Sequence, residues 1–210
     1  MNKALARVLR DKLLDLPFIE VAAGLVQTVT TTDSVPNSAA DEAAVSAVTK
    51  KFPVATSVIP EDFCKNGKEF RTIPNSNYRS LIYFEEFGIS VGPKNHGHTA
   101  FTSRIRMVIW LNRKNLVGAS YTDISGRCMA MIIDRLTGNN PENVDIFTRL
   151  TCEVAAILPQ DASVFARYTY SEADRQYLRP PFEFFAIDFT CKYQVPSNCM
   201  DSINWNVKVC

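Results

Sequence analysis

The sequence predicts an α+β fold: a mostly antiparallel sheet covered by helices on one face, with a β-hairpin arm projecting from it. Three long segments alternate apolar and polar residues with period two, as a strand with one dry face does. Their other faces carry charge, which a parallel sheet, buried on both sides, would not accommodate. Two amphipathic segments at helical spacing are candidates for the cover.

Taken in order, Leu5, Leu9, Leu13 and Leu16 recur at helical spacing with Val8 beside them and charges mostly between. This predicts an amphipathic first helix ended by Pro17. From Phe18 the texture turns to Val, Thr and Ile, through Val21 and then Gly24-Leu25-Val26-Gln27-Thr28-Val29-Thr30, which predicts a strand leaving the body. A second β-type run, Val48 to Ile59, can return beside it with Asp33 to Ala47 as the tip, so residues 18–59 make the arm. The competing expectation is an unstructured insertion with a short helix at Asp41 to Ala47. A two-stranded arm is marginal alone and needs something to lean on. Pro60 to Asn77 carries Pro, Asn, Gly and Lys without periodicity and is expected to be loop.

Ser80 to Val91 is apolar on both faces through Leu81, Ile82, Tyr83 and Phe84, then polar at Glu85 and Glu86, which suggests a central strand. In Phe101 to Asn112 one face reads Phe101, Ser103, Ile105, Met107, Ile109, Leu111 and the other Thr102, Arg104, Arg106, Val108, Trp110, Asn112. Arg127 to Leu136 is the second helix, preceded by the capping side chains Asp123 and Ser125 and closed by Gly138, with Cys128, Met131, Ile132 and Leu136 on one face. Ile146 to Leu158 alternates again, placing Ile146, Leu150, Cys152, Val154, Ala156 and Leu158 opposite Arg149 and Glu153. A short turn at Ser171 to Tyr177 leads to the last strand, Phe184 to Val195, where Phe185, Ile187, Phe189, Cys191, Tyr193 and Val195 form the dry face.

The chain has 210 residues, 46% of them apolar and 21% charged, which fits one domain over residues 1–210 and excludes intrinsic disorder. Lys and Arg total 23 against 22 acids, so no large field of one sign draws it to duplex nucleic acid or an anionic membrane. The longest uncharged run, Val21 to Thr32, is 12 residues, well short of the ~20 that a membrane span needs, so no membrane partner is expected. Charges among the leucines of the first helix argue against a signal peptide. The six cysteines, Cys64, Cys128, Cys152, Cys191, Cys199 and Cys210, lack any CxxC spacing and are expected to be free thiols in a reducing cytoplasm.

Few residues promise chemistry. His96-Gly97-His98 could aim two imidazoles at a metal, but no Cys, Asp or Glu nearby completes a ligand set, so a solvated loop is expected and no metal. Glu85 and Glu86 are adjacent and point to opposite faces of a strand, so they are read as salt-bridging residues and not as an acid/base pair. Phosphate-loop, dinucleotide, nucleophile-elbow and zinc-helix patterns are absent, and no cofactor or catalytic residue is assigned; the chain reads as non-enzymatic. Arg104, Arg106, Arg113 and Lys114 put four positive charges into 11 residues, with Trp110 on the face of the first two. That face can line phosphates while the aromatic stacks, as in a single-stranded nucleic-acid or DNA-binding module. Alternatively it is a solvated face whose arginines oppose Asp188, Glu153 or Glu86.

The order of segments resembles the neck and tail ring proteins of tailed bacteriophages. It runs from a short amphipathic helix to Gly24 to Thr30 paired across a polar tip with Lys50-Lys51-Phe52-Pro53-Val54-Ala55, then Leu81 to Glu85 and Arg104 to Leu111, a helix and two strands. The tail-terminator and tail-completion group is closest in organisation. The closing stretch, Tyr168 to Asp174, Tyr177 to Phe182 and Phe185 to Tyr193, looks like versions from phages of gut Bacteroidales, including the crAss-like phages. The resemblance implies a structural virion protein, made in the host cytoplasm, with no catalytic role. It implies a homo-oligomeric ring of six- or twelvefold symmetry, stacked against portal, adaptor or tail rings with packaged DNA passing through. It also suggests uses for two features: an arm (Gln27, Thr28, Val29, Thr30, Lys50, Lys51, Phe52) that augments a neighbouring sheet, and a basic face (Arg104, Arg106, Trp110, Arg113, Lys114) turned to the channel or to the next ring.

Overall fold

The computed structural model describes residues 1–36, 45–55, 74, 76–118, 123–138, 140–160, 162–169 and 176–197. In chain order the elements are α1 (Asn2–Leu13), β1 (Val21–Pro36), β2 (Val45–Ala55), β3 (Ser80–Asn95) and β4 (His98–Asn112). There follow α2 (Arg113–Val117), α3 (Ile124–Leu136), β5 (Glu142–Val144), β6 (Phe147–Leu158), 3-10 turns at Ala162–Phe165 and Gln176–Leu178, and β7 (Phe182–Pro196). The strands form one seven-stranded sheet in the order β2-β1-β3-β4-β7-β6-β5. The β1–β3 pair is parallel and the others are antiparallel, giving the mostly antiparallel α+β architecture that the alternation predicts.

The first face of the sheet is dry because α1 and α3 lie on it. Leu5, Leu9 and Leu13 of α1 recur every four residues and are buried, as are Ile124, Cys128, Ile132 and Leu136 of α3. They pack with Phe101, Ile105, Met107, Ile109 and Leu111 of β4 and Phe185, Ile187, Phe189 and Tyr193 of β7 in one cluster. Each such side chain contributes about 1.5–3 kcal/mol by leaving water. Ser103 is the polar exception on this face; its hydroxyl donates to Asn2 Oδ1 at 2.6 Å and lies 2.8 Å from the Tyr193 hydroxyl. The α3 cap is Asp123, whose Oδ1 accepts from the Gly126 amide at 2.9 Å. Ser125 instead donates to Glu183, and the helix closes at Thr137, not Gly138, with the Thr137 amide and hydroxyl both donating to the Ile133 carbonyl. Met131 is exposed and does not share the buried face. α1 likewise ends at Leu13, four residues before Pro17, and Leu16 is buried in the turn that follows.

β-bulges re-aim side chains that strict alternation would place otherwise, and the β6–β7 shift between Thr148 and Thr151, at Arg149 with φ +54°, makes Phe147 and not Ile146 the buried residue. The β6–β7 register shifts between Val154 and Ala156, so Ala156 and Leu158 turn to the second face, where Leu158 packs with a smaller cluster. The β3–β4 register shifts between Glu86 and Gly88, where Gly88 has φ +140°, a conformation open to glycine.

The second face is not bare. Val164, Phe165 and Tyr168 cover Tyr83, Val108, Trp110, Phe184 and Ala186 at one end of it, with Tyr177, Leu178 and Phe182 alongside. β3 and β4 join through a tight turn at His96 and Gly97, both with positive φ; His96 is exposed and His98 half-buried. Among the described residues no group of three or more His, Cys, Asp or Glu could hold a metal, and no helix is long and apolar enough to cross a membrane. The expected loop at Pro60 to Asn77 and turn at Ser171 to Tyr177 lie mostly outside the described residues, as do Cys64, Cys199 and Cys210.

Candidate interaction site

Two regions hold the residues singled out from the sequence, and the structure separates their members. β1 pairs with β3 at Val21, Ala22 and Leu25, with a register shift at Gly24, whose φ is +67°, and changes partner after Leu25. From Val26 to Pro36 it pairs with Ala55 to Val45 of β2. The strands therefore run through Asp33 to Pro36 and Val45 to Ala47, where the tip is expected and, at Val45 to Ala47, where the competing expectation places helix; residues 37–44 lie outside the described residues. Gln27, Thr28 and Thr30 are exposed and Val29 is half-buried. Backbone register sets Thr30 opposite Lys51, Val29 opposite Phe52 and Thr31 opposite Lys50. Lys51 is exposed, and its carbonyl accepts a 2.7 Å hydrogen bond from the Thr169 amide.

The five basic-face residues do not form one surface. Arg106 on β4 meets Asp188 on β7 in a two-point ion pair, Nε to Oδ1 at 2.6 Å and Nη2 to Oδ2 at 3.0 Å, because the two are direct register partners. The hydrogen bond to Asp188 holds the guanidinium pKa above its ordinary value. Trp110 shares the strand face but is wholly buried: its indole N–H donates to the Tyr177 carbonyl at 2.6 Å and its ring stacks on Phe182 with centroids 5.0 Å apart. Arg113 begins α2 and reaches Glu183 at 3.8 Å, while Lys114 is exposed. Arg104, also exposed, lines a shallow depression of about 310 Å³ with Phe87, Ala155, Asp188 and Thr190.

Beside that depression lies a cluster in which the expected opposition of Arg106 and Asp188 is present and sequence reasoning missed only the contacts of Arg167 and Tyr168. Glu85, Arg106 and Asp188 form one row across β3, β4 and β7. Glu85 is 1% exposed, beneath the 162–169 segment. Tyr168 donates to it at 2.6 Å and Arg167 Nη1 lies 3.4 Å from it. Burial pushes the Glu85 carboxyl above the usual carboxylate range, against the opposing pull of Tyr168, Arg167 and Arg106. Phe87, in the bulge, carries the Arg106 and Arg167 guanidinium groups 4.5 and 4.9 Å from its ring centroid. With its carboxylate closed over, Glu85 fastens the 162–169 segment to β3. Glu86 points away and is exposed. The signal available in sequence was slight: Glu85 continues the face of buried Tyr83, but nothing periodic marks Arg167 or Tyr168.

Beyond Glu85, β3 has β4 on one side and, among the described residues, no strand on the other. On this edge Phe87 on the second face is 47% exposed and Ile89 and Val91 on the first are 43% and 68% exposed, and exposed apolar side chains along an open edge mark a contact surface. Compared with protein-family models and with curated proteins, the chain matches none.

Proposed function

We propose that this chain is a non-enzymatic structural protein of a phage virion, one subunit of a ring in the neck or tail with a connector, terminator or completion role. The observation that supports this most is the β1–β2 pair, which runs eleven register pairs beyond the last register pair of β1 with β3. A two-stranded ribbon of that length is marginal in water, and a neighbouring subunit is what would stabilise it. The ring contacts copies of itself and the adjacent portal, adaptor or tail rings. DNA passes through without being gripped, in keeping with a net charge of +1 and with Arg106 committed to Asp188. A single-stranded nucleic-acid module would have to work without Trp110 as a stacking platform.

The test is mass measurement in solution with negative-stain imaging, alone and with neighbouring gene products, on the full chain and on a variant lacking residues 27–52. Rings from the full chain that are lost in the deletion variant are the expected result. A monomer that binds single-stranded DNA with steep salt dependence would overturn the proposal in favour of the module.

A further inference from the structure

We infer that the edge of β3 at Gly88 to Val91 is an acceptor for strand addition, and that its occupant is the lane of β1 facing away from β2 in a second copy of this chain. The inference rests on the self-assembling role proposed above and names the surfaces that would meet.

β1 and β3 part company after Leu25 and Phe84. From that point each has one lane without a strand neighbour among the described residues: β1 the lane facing away from β2, β3 the lane facing away from β4. Every copy thus carries one unfilled donor lane and one unfilled acceptor lane, both opening from the fork after Leu25 and Phe84. Such a pair makes a head-to-tail contact, which closes into a ring at a suitable rotation and otherwise builds a filament.

The choice of lanes follows from how exposed edges are normally blunted, with Lys, Pro and bulges. The outer end of β3 has these devices, a register shift between Val91 and Lys94 that spans Pro93. Between there and the Gly88 bulge, Gly88-Ile89-Ser90-Val91 has no charge and no proline. Ile89 and Val91 face the apolar side of the sheet, opposite Ser103 and Phe101, yet stand 43% and 68% exposed. In the hairpin, β2 carries Lys50, Lys51 and Pro53, whereas β1 from Val26 to Thr32 is uncharged and built of Val, Thr and one Gln, strong strand formers. The undefended lane is therefore that of β1. Docking it on Gly88 to Val91 would pair backbone groups on both strands and cover Ile89 and Val91.

The experiment replaces Val91 in the full chain with photoreactive p-benzoylphenylalanine, in a mixture of isotope-labelled and unlabelled copies, and maps cross-linked peptides by mass spectrometry. Cross-links from position 91 to residues 26–36 of the other copy are expected. In parallel, an Ile89→Lys/Val91→Lys variant that keeps the wild-type circular dichroism spectrum should lose the oligomer and run as monomer. Oligomers that persist in this variant, or cross-links to β3 of the other copy or elsewhere, would overturn the edge assignment while leaving the ring proposal standing. A wild-type chain that is monomeric at every concentration and gives no inter-copy cross-link would overturn both. Should the lysine variant fail to fold, the cross-link map decides alone.

Discussion

The Tyr168 hydroxyl donates a 2.6 Å hydrogen bond to Glu85 across the second face of the sheet. Through that contact the segment 162–169, which opens with a 3-10 turn, is anchored on the central strands, and through the Thr169 amide it also holds β2 at Lys51. Glu85 is thus part of the link between the hairpin and the body.

That position makes stability depend on pH in a defined sense. The Glu85 carboxyl titrates above its ordinary 4.5 when folded, chiefly because it is buried. A native state that holds a proton more tightly than the unfolded chain gains stability as pH falls through the raised folded value, and the gain is complete below 4.5. At neutral pH the buried charge is a penalty. Glu85→Gln, which keeps an acceptor for Tyr168, should raise the neutral-pH melting temperature and lose its advantage below pH 4.5. A melting temperature lowered by this change at neutral pH would mean that the Arg167 contact outweighs desolvation.

Trp110 gives an optical test of the second face. In a Trp205→Phe background its emission should be blue-shifted, insensitive to iodide and unchanged by single-stranded DNA, because the ring lies under Phe182 and Tyr177. Trp110→Ala should cost about 3–5 kcal/mol in urea unfolding. Trp110→Phe, which strands the Tyr177 carbonyl, should cost about 1–3 kcal/mol.

The Arg106–Asp188 pair is partly screened, with side chains 14% and 29% exposed, so it should behave between a surface and a fully buried ion pair. Arg106→Met or Asp188→Leu alone should cost about 2 kcal/mol, less than the 3–5 kcal/mol of full burial. The double variant should recover most of that loss. Additive losses in the double-mutant cycle would show that the two residues act independently.

Cys128, Cys152 and Cys191 are buried free thiols. Burial, with a contribution from Glu183, pushes the Cys128 pKa up to about 12. The Cys152 hydrogen bond and burial hold the Cys191 thiol well above its ordinary range. Since the thiolate is the nucleophile, Cys128 and Cys191 should resist iodoacetamide at pH 8 in the native protein, and Cys152 should be shielded by its burial; all three should react in denaturant. Peptide mapping that finds any of them labelled natively would contradict this packing.

Much of the sheet is legible in the sequence because β4 and β7 pair without a register break from His98–Pro196 to Asn112–Phe182, so alternation persists along both. α1 and α3 are legible for a similar reason, since Leu5, Leu9 and Leu13, then Cys128, Ile132 and Leu136, keep helical spacing. Alternation fails at a bulge: Ala155 carries no local mark that a residue has been inserted, whereas Gly88, a glycine within a strand pattern, is such a mark that the alternation reading did not use. Ala156 and Leu158 consequently read to the wrong face. The cover of Trp110 comes from 3-10 turns too short to show a period. Of the candidate site, the pairing of β1 with β2 was readable from its Val and Thr content, but the edge of β3 without a strand neighbour among the described residues was not. An edge is defined by which strand stops beside it, and that is a property of the assembled sheet.

The position of β7 has a consequence for biosynthesis. The centre of the sheet is β4, yet its second partner is the last strand of the described chain, joined to it only after Phe182. While the ribosome works through the intervening segments, the β3–β4 hairpin waits with Phe101, Ile105 and Ile109 unpaired on a long free lane. Pairings so distant along the chain form slowly and leave hydrophobic strands open to off-pathway association. Chains truncated before β7 should therefore accumulate as aggregates or chaperone-bound species, and the yield of native protein in the cell should be set by how quickly β7 reaches β4.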